Sequence, residues 1–179
     1  GFSGNETIVS NSPSASAVGF RGGNNDETHW DLRLKTSTDS VSSSFEFRIN
    51  NSHSGSAPIV SNAYSMSTDY VNITEGSLWN VMLQRMSSSV SGSGTNEYRL
   101  ATAYQDKDRI SIISAVSMSI SGGLNTDSKS NANENWLSTG SRTLASGSNL
   151  IIGRTISGSI AEIRGWSTAL SASKWKQHV

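Results

Sequence analysis

The segment from residue 150 to residue 170 constrains the fold of this chain more than any other. It reads LIIGRTISGSIAEIRGWSTAL, with an apolar run that ends at Gly153, a turn that contains glycine, and a second apolar stretch over residues 156–166. The pattern predicts two strands joined by a tight turn, with a bulge or burial on both faces at residues 160–163. A lone hairpin is marginally stable in water, so we expect a larger sheet upstream to bury its isoleucines.

The same segment carries a family resemblance. LIIG at residues 150–153, SGSIAEIRGW at residues 157–166 and ALS at residues 169–171 resemble the closing strands of laminin-G-like domains in the concanavalin A-like lectin/glucanase superfamily. LWNVMLQR at residues 78–85 is similar to the family's mid-domain strand with a tryptophan. The resemblance implies an all-β, two-sheet antiparallel jelly-roll sandwich. It implies no single function, because the fold hosts lectins, adhesion modules and hydrolases.

Apolar and polar residues alternate along most of the chain. The alternation predicts strands near residues 28–35, 44–49, 98–104 and 110–120, each with one face in the core. A further strand at residues 78–86 is apolar on both faces, which predicts that it is covered on both sides or central in its sheet. Asp31 and Glu46 fall on the opposite, solvent-facing side of their strands. Ser171 is the predicted N-cap of one short C-terminal helix. The residues predicted to be buried are Trp30, Leu32, Phe45, Phe47, Trp79, Val81, Leu83, Ile112, Ile152, Ile163 and Trp166.

Length and charge limit the classes to which this protein can belong. A chain of 179 residues suits one domain, and 14 basic and 14 acidic residues give zero net charge, so nucleic acid is not an expected partner. No apolar run is long enough to span a membrane, and we expect no membrane insertion. The chain has no cysteine and starts with glycine, which favours a bacterial or viral module of residues 1–179 cut from a longer polypeptide. We expect it outside the cell, on a cell surface or on a virion.

Catalytic patterns are missing from the sequence. The resemblance implies that a glucanase of this superfamily would carry Glu-x-Asp-x-x-Glu on one strand, and no such strand occurs. Glu46 and Glu162 each have an arginine two residues later and are interpreted as solvated strand positions. No histidine has a partner at metal-ligand spacing: these are His29, His53 and His178. The prediction is therefore that this chain is not an enzyme, and a glycoside hydrolase is the least favoured reading.

Calcium stays an open alternative. The resemblance implies a rim site built from carboxylate, amide and carbonyl oxygens, which are the ligands that Ca²⁺ prefers. The corresponding candidates are Asn25, Asp26, Asp106 and Asp108. Asp and Asn are also ordinary turn residues, since their side chains cap their own backbone. No other cofactor is expected.

A polar segment at residues 121–135 is the predicted binding loop. Long loops inside compact domains are usually functional or mobile, and this one ends at a tryptophan beside amide groups. Those groups suit a glycan, and the candidate residues are Asp127, Asn133, Asn135 and Trp136. The alternative is that Trp136 starts the next strand and is buried in the core.

Two functional hypotheses remain. The first is a non-catalytic recognition module for a glycan or a surface protein, carried by a larger surface, virion or phage structural protein. The second is a structural decoration or spacer in a large assembly, with the rest of its own polypeptide as its partner. Binding to an array of glycans separates them, because a spacer should bind none.

Overall fold

The computed structural model describes residues 5–12, 30–38, 41–50, 63–73, 78–86, 95–106, 109–121, 149–153 and 155–179. The strands are β1 (Asn5–Ser12), β2 (Trp30–Thr36), β3 (Ser43–Asn50), β4 (Ala63–Ser67), β5 (Trp79–Arg85), β6 (Thr95–Asp106), β7 (Arg109–Ser121) and β8 (Asn149–Ile152). One helix, α1 (Ala172–Lys176), follows. The predicted all-β sandwich with a short C-terminal helix is confirmed.

The strands form two antiparallel sheets. The wide sheet has the order β4-β3-β2-β1-β8, and the narrow sheet has the order β5-β6-β7. Apolar residues of β2 lie directly opposite apolar residues of β3, as in the pairs Leu32 with Phe47 and Leu34 with Phe45. Because successive side chains of a strand point to opposite faces, this register places all of these residues on one face of the sheet.

The main core lies between the two sheets. Among the predicted core residues, Trp30, Leu32, Phe45 and Phe47 are buried, and Val81 and Leu83 are partly buried against them. The narrow sheet contributes Tyr98, Leu100 and Ile120, each with no exposed surface. Burial raises the pKa of the Tyr98 hydroxyl. Ile112 pairs with Ala103 in β7 and β6, and its side chain lies outside the described residues.

Helix α1 forms a third layer on the outer face of the narrow sheet. Trp175 is 6% exposed and packs with Met82, Ala101 and Ala103. The Ser171 hydroxyl accepts a hydrogen bond from the Lys174 N–H at 3.3 Å, which confirms the predicted N-cap. The prediction that both faces of β5 are covered therefore holds at its centre, whereas Leu78 and Met86 at its ends are exposed.

The outer face of the wide sheet is less solvated than predicted. Asp31 is 3% exposed and Glu46 is 6% exposed, so the prediction of solvent-facing carboxylates is wrong. Arg48 donates two hydrogen bonds to Asp31, and Arg33 donates to Glu46 at 2.5 Å. Long arginine side chains cover the carboxylates on the neighbouring strand, which explains the burial. Burial nevertheless raises the pKa of Asp31 above its usual range, although the Arg48 hydrogen bond opposes the shift.

The predicted closing hairpin does not form. β8 pairs with β1 rather than with the residues that follow it, and residues 155–171 contain no strand. Residues 161–163 are exposed, so the predicted bulge or burial on both faces at residues 160–163 is also wrong. Gly153 ends β8 with a φ of 69°, a conformation that favours glycine. Ile152, Ile163 and Trp166, all predicted to be buried, are 47%, 44% and 45% exposed.

The unequal widths of the sheets explain this exposure. β4 contacts β7 at one side of the sandwich. The two additional strands of the wide sheet, β1 and β8, therefore extend past β5 at the other side. Apolar residues on β8 face a region where the described part of the narrow sheet has no strand.

Candidate ligand-binding cleft

The residues predicted to bind calcium or a glycan are not brought together by the described part of the structure. Asp106 ends β6 opposite Arg109, and its side chain lies outside the described residues. The other candidates also lie outside them: Asn25, Asp26, Asp108, Asp127, Asn133, Asn135 and Trp136. Within the described ranges, no three His, Asp or Glu side chains are grouped closely enough to hold a metal ion.

A different cleft lies beside β5, the edge strand of the narrow sheet. Its volume is about 370 Å³. Residues 80–85 form one wall, and the chain from Glu162 to α1 forms the other wall. Trp175 and His178 also line the cleft, so α1 and the residues after it close one end. Among the strands that the structure describes, β5 pairs only with β6, and the cleft lies along its other edge.

Hydrogen bonds hold the two ends of the second wall. At its start, the Ser157 N–H donates to Glu6 Oε2 at 2.8 Å, which joins the wall to β1. At its end, the Leu170 N–H donates to Gln84 Oε1 at 3.1 Å, which joins it to β5. Gln84 is itself 7% exposed, so its amide is fixed by packing. The wall therefore runs from the wide sheet to the narrow sheet.

A polar cluster occupies the mouth of the cleft. Arg164 binds Glu162 through two parallel hydrogen bonds, from Nε to Oε1 at 2.7 Å and from Nη2 to Oε2 at 2.8 Å. These bonds lower the pKa of Glu162 and raise the pKa of Arg164. Arg164 Nη1 also lies 2.8 Å from His178 Nδ1. Because a guanidinium only donates hydrogen bonds, Nδ1 is the acceptor in this contact.

Trp166 lies beside this cluster. Its ring centroid is 4.7 Å from that of His178, with the planes tilted by 47°. Almost half of the Trp166 surface remains exposed, whereas Trp175, which also lines the cleft, is buried. An aromatic ring held next to a carboxylate, a guanidinium and an imidazole presents one apolar surface and several fixed hydrogen-bonding groups.

Trp166 was misassigned to the core because its strand was expected to have a sheet opposite it. One signal in the sequence pointed the other way. Side chains two residues apart on a strand lie on the same face, so on a strand Trp166 would share a face with Glu162 and Arg164. A strand face that carries two charged residues is seldom buried in a core. Metal-ligand spacing was the one pattern applied to His178. That spacing gives no information about contact between the His178 ring and Trp166, which is twelve residues earlier.

Comparison of the chain with known protein families, with characterised proteins and with solved structures finds no match. The described residues include no helix with the length and apolar character needed to cross a membrane.

Proposed function

We propose that this chain is a non-catalytic recognition module that binds a carbohydrate in the cleft beside β5. The observation that carries the proposal is the half-exposed Trp166 ring, fixed against His178 and next to the Glu162–Arg164 pair. A sugar presents an apolar face of C–H groups with hydroxyls around its edge. An aromatic ring with hydrogen-bonding groups at its side complements both features.

The shape of the cleft supports the same ligand class. Pockets for small ligands are concave, contain aromatic and apolar side chains, and hold a few fixed polar groups that orient the ligand. Here Trp166 and Leu170 are the apolar surfaces, and Gln84 and the Glu162–Arg164 pair are the polar groups. A volume of about 370 Å³ suits one or two sugar rings rather than a folded protein domain.

The arrangement of carboxylates favours binding without hydrolysis. Glycoside hydrolysis generally needs two carboxyl groups on either side of the scissile bond. Of the residues that line the described cleft, Glu162 alone carries a carboxylate, and Arg164 occupies both of its oxygens. Asp31 and Glu46 lie on the outer face of the wide sheet and do not line the cleft. Each forms an ion pair with an arginine.

The proposal includes the context of the module. We place it on a larger surface, virion or phage structural protein, where a neutral, cysteine-free β-sandwich displays the cleft to a glycan. Calcium binding by Asn25, Asp26, Asp106 and Asp108 stays a prediction. A rise in melting temperature with added calcium, reversed by EDTA, would support it, because a ligand of the folded state stabilises that state.

A glycan array tests the proposal. The wild-type chain should bind a reproducible set of glycans, and Trp166→Ala should lose that binding. Tyr70→Ala is the matched control, because Tyr70 is equally exposed at 49% but does not line the cleft. Glycan binding that persists in Trp166→Ala would show that the glycan binds elsewhere on the chain. No reproducible binding by the wild type would favour the structural spacer instead.

A further inference from the structure

We propose that His178 is a positioning residue of the cleft: its unprotonated ring holds Trp166 and Arg164 in the binding arrangement, and protonation releases them. We therefore expect the cleft to bind a glycan near neutral pH and to lose affinity in acid. The glycan part of this inference rests on the proposed function. The coupling between His178 and Trp166 does not, because it can be measured without a ligand.

The backbone of His178 is held at the end of α1. Its N–H donates to the Trp175 carbonyl oxygen at 2.8 Å, and the Gln177 N–H donates to the Lys174 carbonyl oxygen at 3.1 Å. Trp175 is itself buried against the outer face of the narrow sheet. The His178 side chain therefore extends from a packed helix, and it lines the cleft from there.

The His178 side chain joins this helix to the segment that carries Trp166. Arg164 Nη1 donates to His178 Nδ1 at 2.8 Å, while Nε and Nη2 of the same guanidinium donate to Glu162. Glu162 and Arg164 lie in one segment, with side chains 59% and 43% exposed, so their ion pair by itself fixes neither residue against α1. The hydrogen bond to His178 provides that attachment.

The same ring contacts Trp166. The two ring centroids are 4.7 Å apart and the planes are tilted by 47°, which is within the range of favourable aromatic pairs. Trp166 lies in a stretch that has neither helix nor strand, so side-chain contacts position its ring. One imidazole therefore orients both the aromatic surface and the guanidinium of the cleft.

Protonation of His178 removes its hydrogen bond with Arg164. A protonated ring has no acceptor at Nδ1, and it places a second cation beside the guanidinium. The charged ring can also donate to Glu162 in competition with Arg164. Attraction between a cation and the Trp166 ring opposes release, but at an exposed site it is weaker than a hydrogen bond to a charged group. The balance favours release of Arg164 and Trp166 in acid.

The other charged groups around the ring keep their charge over the relevant pH range. They are Glu162 and Arg164 before α1, Arg85 on β5, and Lys174 and Lys176 on α1. Hydrogen bonds from Arg164 lower the pKa of Glu162, so this carboxylate stays ionised. Arginine and lysine side chains ordinarily stay protonated below about pH 8, whereas histidine is the side chain that changes charge between about pH 5 and pH 8.

NMR of the wild-type chain without a ligand tests the coupling. The order parameter of the Trp166 indole N–H is measured at about pH 7.5 and at about pH 5, with the buried Trp175 indole as reference. We expect Trp166 to be above about 0.8 at the higher pH and below about 0.6 at the lower pH, while Trp175 stays ordered. The change should follow the titration of the His178 ring signals. A Trp166 order parameter that is low at both pH values, or equal at both, would overturn the proposal.

Two substitutions separate the two contacts of the ring. His178→Phe keeps an aromatic ring beside Trp166 and removes the acceptor, whereas His178→Asn keeps an acceptor for Arg164 and removes the ring. Neither side chain titrates near neutral pH, so Trp166 should lose its pH dependence in both variants. The control is His29→Gln combined with His53→Gln, which should keep the wild-type dependence. A dependence that persists in His178→Phe would assign the titration to another group and contradict the proposal.

Glycan binding measures the consequence for the cleft. The glycan with the strongest array signal is titrated into the wild-type chain at the same two pH values. Its affinity should fall at least about 3-fold in acid, because apparent affinity scales with the fraction of chains in the binding arrangement. In His178→Phe the affinity should be weaker at the higher pH and should not fall further in acid.

The outcomes distinguish this inference from the proposed function. Glycan binding that requires Trp166 and is equally tight at both pH values would refute the role of His178 and leave the proposed function standing. If the wild-type chain binds no glycan, the proposed function fails, and the NMR measurement decides whether His178 controls Trp166.

Discussion

β3 and β8 belong to the same sheet and both place apolar side chains on its inner face, yet these side chains differ sharply in burial. Phe47 and Ile49 on β3 have no exposed surface, whereas Leu150 and Ile152 on β8 are 40% and 47% exposed. The difference lies in what is opposite each strand. β3 faces Tyr98 and other residues of the narrow sheet, with the Phe47 and Tyr98 rings 5.4 Å apart. β8 extends beyond β5, the last strand that the structure describes on that side of the narrow sheet.

This comparison shows what an alternating pattern predicts. The pattern indicates which residues of a strand share a face, and that prediction was correct for β3. It does not indicate whether another layer covers the face. Apolar burial contributes about 25 cal/mol per Å² removed from water, so apolar residues on one sheet face contribute very different amounts to stability.

The largest expected effect of a single substitution is at the covered strand. Phe47→Ala should lower the free energy of unfolding by about 3–5 kcal/mol, because it leaves a cavity between the sheets. Urea denaturation monitored by fluorescence gives the value. A loss below about 1 kcal/mol would mean that Phe47 is not part of the packed core and that β3 and β8 do not differ.

The next effect concerns the helix layer. Trp175→Ala should cost about 3 kcal/mol, at the low end for a buried aromatic, because its buried neighbours are one methionine and two alanines. The same denaturation experiment measures it. An effect as small as that of an ordinary surface substitution, within about 0.5 kcal/mol, would show that α1 does not pack on β5 and β6.

A smaller effect is expected at the uncovered strand. Leu150→Ala should cost less than about 1 kcal/mol, because its side chain is already 40% exposed and leaves little cavity. A loss of unfolding free energy equal to that of Phe47→Ala would contradict the difference in burial between β3 and β8. It would indicate that another part of the chain covers β8 in solution.

The smallest expected effect is a dependence on pH. Burial raises the pKa of Asp31, so its protonated form favours the folded state. The stability that protonation adds is present at low pH and is lost as the pH rises from about 4 through the raised value. The melting temperature of the wild type relative to Asp31→Asn should therefore fall between pH 4 and pH 7. The opposite slope would mean that the Arg48 hydrogen bond outweighs burial.

The predictable parts of the fold are the strands and the helix cap whose hydrogen-bonding partners lie nearby in the sequence. β2 and β3 were found because Trp30, Leu32 and Leu34 alternate with charged residues and pair with the next strand. The Ser171 cap was found because capping involves a local hydrogen bond. Neither depends on contacts with distant parts of the chain.

The C-terminal region was mispredicted for the complementary reason. The partner of β8 is β1, which is about 140 residues earlier, and no local pattern distinguishes that pairing from a hairpin. The cleft at Trp166 requires β5, the chain from Glu162 to Leu170 and α1 together, so its geometry could not be predicted from one segment. The charged face that Trp166 shares with Arg164 was the available signal.

One titration tests the account most directly. The five tryptophan indole N–H signals can be assigned by single Trp→Phe substitutions and followed by NMR while a glycan that binds on the array is added. The account predicts that the Trp166 signal shifts most, that the Trp175 signal shifts less, and that the Trp30 signal stays unchanged. A shift confined to the Trp136 signal, or no shift of the Trp166 signal at saturation, would contradict binding in the cleft beside β5.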